Sequence, residues 1–163
     1  MQIHRGLNEL PSFKNLVLTQ GTFDGVHLGH QVVLDQVLKK AADVEGESML
    51  MTFYPHPRLV LYPNDNSLKL INTIEEKASR LRQLGLDHLL VVPFTHEFSQ
   101  RSPLEFVREI LIDKLNVKHM VVGHDHRFGK NRVGNFYELE QMGEMFNFSV
   151  VQIEPHVLNE ITI

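Results

Sequence analysis

The sequence predicts an α/β protein: a doubly wound parallel sheet of about five strands, covered by helices on both faces. Short apolar runs alternate with amphipathic helical segments, and the first run passes into a helix through a turn holding three glycines. At 163 residues the chain fits one domain able to bury its own core. Crossovers between successive parallel strands are expected to be right-handed.

The elements follow in order. Leu16 to Thr19 is a short apolar strand, and His30 opens a helix whose inner face carries Val33, Leu34, Val37 and Leu38. Ser48 to Phe53 reads as a second strand, ended by Pro55 and Pro57, and the residues from there to Thr73 read as loop. Thr73 with Glu76 caps a helix bearing Ala78, Leu81 and Leu84, which Gly85 stops. Leu89 to Pro93 is a third strand. Ser102, Pro103 and Glu105 then form a capping box ahead of Phe106, Ile110, Leu111 and Leu115. His119 to Val122, a helix from Phe136 to Met145 and a strand from Phe148 to Ile153 complete the pattern.

The turn Gly21 to His30, GTFDGVHLGH, is the richest in chemistry. The first N–H groups of the helix it feeds lack intrahelical partners, and the helix dipole adds positive charge, so a polyphosphate satisfies both. Gly25 and Gly29 permit close backbone approach, and His27 and His30 can donate to phosphate oxygens. The pattern is HxGH, neither a Walker loop nor a GxGxxG fingerprint. Ligands of parallel sheets bind at the carboxyl ends of strands, so Gly21–His30, Tyr54–Arg58, Phe94–Arg101 and Gly123–Gly134 are expected at one rim.

Composition limits the partners. Sixteen basic and twenty acidic side chains give a net charge of −4, with no basic run of the kind that binds nucleic acid. No apolar run reaches the ~20 residues of a membrane span, and the amino terminus lacks a signal-peptide core, so a cytoplasmic protein is expected. The absence of cysteine excludes disulfides, thiolate metal sites and a cysteine nucleophile.

Three strings, taken together, carry a resemblance. GTFDGVHLGHQ resembles the adenylyltransferase module of bacterial FAD synthetases, members of the HxGH nucleotidyltransferase superfamily. TFYPHP, Thr52 to Pro57, is similar to a TFxPHP segment of that module. VVGHDHRFGKNRVGN resembles its GxDFRFGxxRxG segment, matching at Gly123, Asp125, Arg127, Phe128, Gly129, Arg132 and Gly134, with His126 in place of the usual phenylalanine.

The resemblance implies a Rossmann-like fold of the HxGH type and transfer of AMP from ATP to FMN, giving FAD and pyrophosphate with Mg2+. It implies that Gly21, Phe23, Asp24, Gly25, His27, Gly29 and His30 hold ATP, with His27 and His30 catalytic. Phe53, His56, Asp125, Arg127 and Phe128 become candidates for FMN; read alone, the phenylalanines are core residues and PHP a rigid strand exit. No protein metal ligand is assigned. The final residues NEITI look like the start of the family's ISSTxxR segment, without its Ser-Ser-Thr and arginine. The chain is therefore expected to be a fragment, truncated before that segment and a carboxyl-terminal riboflavin kinase domain.

Three alternatives stand beside this reading. The HxGH turn also serves transfer to nicotinamide mononucleotide or phosphopantetheine, and cytidylyl transfer to glycerol phosphate. His27, His30, His124, Asp125 and His126 could instead ligate zinc or manganese in a hydrolase. The third alternative is a flavin-binding module without catalysis.

Overall fold

A computed structural model describes residues 1–23, 28–64, 73–123 and 126–153, excluding the side chain of Leu28. Among them six strands form one sheet in the order β1-β4-β3-β2-β5-β6, and each pairing is parallel. Five strands are the expected ones: β2 (Val17–Gln20), β3 (Ser48–Tyr54), β4 (His88–Pro93), β5 (His119–Val122) and β6 (Ser149–Gln152). The sixth, β1 (Gln2–Arg5), is an edge strand paired with β4. Its QIHR sequence has one apolar residue, so it carries no strand pattern, and only the hydrogen-bonding edge of β4 recruits it.

Strand residues alternate between two cores. Leu18, Met49, Met51, Leu90, Val92, Met120 and Val122 share one cluster with Val107, Ile110, Leu111 and Leu139. Val17, Leu50, Leu89, Val91 and Val121 share the other with Leu34, Val37, Ala78 and Leu81. Side chains alternate across a strand, so runs that are apolar throughout must be covered twice. Helix α1 (Leu28–Asp43) and, beyond β3, α3 (Ile74–Leu84) supply the second cluster.

Local signals set the helix ends. Thr73 Oγ1 accepts from the Glu76 amide at 3.1 Å, and Gly85 closes α3 at φ 95°. Between β3 and α3 lies a helical turn, α2 (Pro57–Leu61), where the sequence reads as loop. His56, an uncommon capping residue, caps it through Nδ1, which accepts from the Arg58 amide at 3.1 Å. After β4 come α4 (His96–Ser99) and α5 (Pro103–Glu105), the latter opened by Ser102 and Pro103 as expected. It runs on as a π-helical stretch, Phe106–Lys114, in place of the expected α-helix. The wider winding keeps Phe106, Val107, Ile110, Leu111 and Leu115 on one narrow inner face. Helix α6 (Phe136–Phe146), capped by Asn135, covers the same side as that stretch.

Candidate active site

From β2 the chain winds outward through β3 and β4 on one side, and β5 and β6 continue on the other. This change of direction is the switch point at which open parallel sheets form a crevice beyond their carboxyl ends. The four segments expected at one rim do share a cavity there, of about 910 Å³. Gln20, Gly21 and Thr22 enter it from β2, His56 and Arg58 from the β3 exit, Phe94 and Arg101 from the β4 exit, and Arg127 and Gly129 from beyond β5.

The wall is charged against the sign of the chain. Arg58, Arg101, Arg127 and Arg132 line it together with His56, His96 and His126, and no aspartate or glutamate does so among the described residues. A cleft of one sign within a protein of net charge −4 concentrates anions. Arg101 is held in place: its guanidinium lies 5.0 Å from the centre of the Phe98 ring, and its Nε donates to Glu109 Oε2 at 3.1 Å. Its carbonyl accepts from the Lys130 amide at 2.7 Å, joining the β4 exit to the loop beyond β5.

An aromatic series runs along the same wall. Phe53, Phe94 and Phe98 lie 5.7 Å apart in all three pairings. Phe98 continues to Phe106 at 6.3 Å, Phe106 to Phe128 at 5.9 Å, and Phe128 to His126 at 5.8 Å with planes 20° apart. Such a wall offers a flat ring apolar cover and edge or face contacts. The loop carrying Phe128 is closed by paired hydrogen bonds between Phe128 and Gly134, of 3.2 and 3.0 Å. A Cβ on Gly134 would come within 2.8 Å of the Phe128 ring, so glycine there lets the ring lie flat on the loop.

The glycine-rich turn is fixed from beneath. The Gly21 amide donates to the Met51 carbonyl at 3.0 Å, and Phe23 adopts φ 47°, a left-handed conformation rare for a bulky residue. The Phe23 ring is buried against the α1 side of the sheet and stacks on His30, centroids 4.4 Å apart. Neither Phe23, Gly29 nor His30 is on the cavity wall. Asp24, Gly25, His27 and Asp125 lie outside the described residues, as does His124 of the proposed metal set. Among the described residues no three His, Asp or Glu side chains cluster to hold a metal.

Of the flavin candidates, Phe53, His56, Arg127 and Phe128 all line the cavity. Phe128 is also part of a core cluster, and Phe53 packs against the same cluster. The sequence does not single out three wall residues, Phe94, Phe98 and Arg101, since Phe94–Arg101 reads there as a strand exit. No sequence signal marks them singly; the register that pairs Tyr54 with Pro93 puts the residues after β3 and β4 side by side. Gln20 was missed too. Its Oε1 is buried without a hydrogen-bond partner among the described residues, an acceptor of the kind a bound ligand satisfies.

A parallel sheet with a glycine-rich turn and a cationic, aromatic crevice at its switch point defines a Rossmann-like α/β protein of the nucleotidyltransferase type. The chain belongs to the FAD synthetase family, whose model matches residues 10–163. It is 37% identical over 154 residues to a bifunctional riboflavin kinase/FMN adenylyltransferase of Buchnera aphidicola subsp. Schizaphis graminum, covering 94% of this chain and 49% of that protein. A protein of the same name from Listeria monocytogenes is 36% identical, with 91% and 47% covered. The chain spans about half the length of the curated relatives it matches.

Among solved structures, a protein of Streptococcus pneumoniae named a macrolide-efflux protein superposes with a TM-score of 0.80 at 26% identity, over 94% of this chain and 50% of that one. Pantothenate synthetase of Thermus thermophilus shares the fold at a TM-score of 0.59 and 14% identity, over 99% and 71%. No described helix of the present chain is long and apolar enough to cross a membrane.

Proposed function

We propose that the chain is the FMN adenylyltransferase half of a longer cytoplasmic protein, joining AMP from ATP to the phosphate of FMN. The observation that carries this is the cavity itself, in which cationic side chains and an aromatic wall meet at one switch point. Two phosphorylated substrates need the first, and a flat flavin ring needs the second. The names of the relatives support the same reaction, and their length supports a riboflavin kinase half in the parent protein.

The FMN phosphate oxygen attacks the α-phosphorus of ATP in line with the departing pyrophosphate; one P–O bond forms as the α–β bridging bond breaks. No covalent enzyme intermediate is required, so positioning and charge stabilisation supply the acceleration. The α1 amino terminus, His27 and His30 take the ATP phosphates. Arg127 and the aromatic wall orient FMN, with Phe53, Phe128, His56 and Asp125 as its other contacts. Among the described residues the wall offers hydroxyls and amides, such as Thr22, Ser99 and Asn131, but no carboxylate. That donor set would suit Mg2+ arriving with the nucleotide, and the ion would supply neutralisation of phosphate charge there.

The test is a competition. The chain is incubated with MgATP, FMN, nicotinamide mononucleotide and phosphopantetheine together, and the products are separated. FAD alone is expected. A different adenylylated product overturns the flavin assignment, and no product at all overturns transfer by this chain. A chain lengthened past Ile163 through an SSTxxR-type segment is expected to turn over faster, and an equal rate counts against truncation.

A further inference from the structure

Lys77 is 5% exposed, and it stands in the first turn of α3. Both facts oppose its presence. A buried ammonium loses hydration, and a cation in the first turn of a helix faces the positive end of the dipole. What it gains is contact with the rim. Its Nζ donates to the carbonyl of Thr22 and lies 3.5 Å from Thr52 Oγ1, while the Thr52 hydroxyl itself donates to the Thr22 carbonyl at 3.4 Å. Thr52 is fully buried, and Thr22 lines the cavity.

The Thr22 carbonyl belongs to the peptide that leads into Phe23, the residue held at φ 47°. A left-handed phenylalanine persists only where its surroundings over-determine it. Among the described residues two constraints act. Lys77 and Thr52 hold the peptide before Phe23, and the Phe23 ring is clamped between the Gly21 backbone and His30: a Cβ on Gly21 would meet that ring at 2.8 Å, and the His30 ring stacks 4.4 Å away. A buried hydrogen bond to a charged donor is stronger than a neutral one, and it fixes the acceptor's orientation.

We propose that Lys77 is a positioning residue for the nucleotide turn. By holding the Thr22 carbonyl it sets the Phe23 backbone, and through the Phe23 ring it sets the orientation of His30 at the start of α1. The inference rests on the reading that this turn takes ATP. It adds a residue from a different helix, far along the sequence from the HxGH string, to the parts that site requires.

Lys77→Met and Thr52→Val separate positioning from plain stability. Affinity is measured by calorimetry with the magnesium complex of the α,β-imido analogue of ATP, whose α–β bridge resists cleavage, and by flavin fluorescence for FMN, alongside the rate of FAD formation and the melting curve. Lys77→Met is expected to weaken the analogue and lower kcat by about tenfold each, with FMN affinity unchanged, as for loss of a charge-assisted hydrogen bond. In a His30→Ala background the same change is expected to cost less than about twofold further, because the two residues act as a unit.

Equal losses for both ligands, full additivity with His30→Ala, or unaltered affinity and rate in a folded variant each overturn the proposal. Should Lys77→Met not fold, Thr52→Val decides: it keeps the shape of the side chain, and wild-type affinity for the analogue in that variant overturns the clamp. A wild-type chain that binds the analogue but forms no FAD sinks the proposed reaction and leaves the clamp to the affinity comparison. A wild-type chain that does not bind it overturns both.

Discussion

The His30 ring lies on the Phe23 ring, with centroids 4.4 Å apart and planes 11° from parallel. This stack ties a residue in the first turn of α1 to the strained residue that follows β2. It orients the imidazole, which is not among the residues lining the cavity. Removing the ring is expected to lower kcat for FAD formation by about a hundredfold or more in His30→Ala, as for loss of a preorganised donor at a developing charge. Normal turnover in a folded variant removes His30 from the mechanism.

Gly21→Ala is expected to disturb the same stack from the other side. The added Cβ would stand 2.8 Å from Phe23 Cε1 and 2.9 Å from Cδ1, so the ring must move and take its contact with His30 along. Overpacking of this kind costs about 1–3 kcal/mol, so a lower melting temperature is expected together with weaker ATP binding. Unchanged ATP affinity, measured by calorimetry, would show that the turn tolerates the displacement.

Phe98 joins three other rings, Phe53, Phe94 and Phe106, and carries the Arg101 guanidinium over its face. Phe98→Leu keeps apolar bulk but loses ring contacts and the cation's seat. An aromatic contact is worth about 0.5–1.5 kcal/mol beyond burial, which predicts FMN binding weaker by about two- to tenfold with ATP affinity unaltered. Flavin fluorescence titration checks it, and wild-type FMN affinity would place the ring elsewhere.

Away from the site, His88 on β4 links the two strands that flank it, touching His4 of β1 and Glu47 just before β3. Its Nε2 lies 2.8 Å from Glu47 Oε1 and its Nδ1 lies 3.0 Å from His4 Nε2. Burial, reinforced by His88, lowers the His4 pKa below its ordinary 6.5. The Lys14 amide, then the bond to His88, lowers that of Glu47 below 4.5. Both folded-state values are depressed, so the unfolded chain binds the extra protons and stability falls as the pH is lowered. The His4 contribution is complete above about pH 6.5 and is lost as pH drops through its folded value; Glu47 follows below about pH 4.5. Melting temperature is expected to fall from pH 7 to 5, and His4→Gln is expected to flatten that slope. An equal slope in the variant would assign the effect to other groups, of which His119, lowered mainly by burial, is the first candidate.

Much of the architecture was legible because local chemistry and tertiary demand agree. The caps at Thr73 and Ser102 act over three residues, within reach of any reading of the chain. The central strands announce themselves because a doubly covered sheet needs apolar runs. Where one partner supplies all the reason for an element, the sequence is silent, as with β1, which exists through the free edge of β4. The helical turn Pro57–Leu61 was silent too, since histidine is not a usual cap.

The sequence by itself determined the fold class, the glycine-rich turn at the head of α1 and the family, because these depend on short strings whose backbone chemistry is local. Only the tertiary structure decided which side chains share a cavity. The register of β3 with β4 gathered Phe53, Phe94 and Phe98, and the switch point between β2 and β5 set Arg101 opposite the loop from His126 to Arg132. It also carried Lys77 from α3 to the carbonyl of Thr22, and turned His30 onto Phe23 instead of into the open crevice. The physical reason is the same throughout: burial and hydrogen bonding reward contacts between distant residues only once the sheet has brought their strands into register.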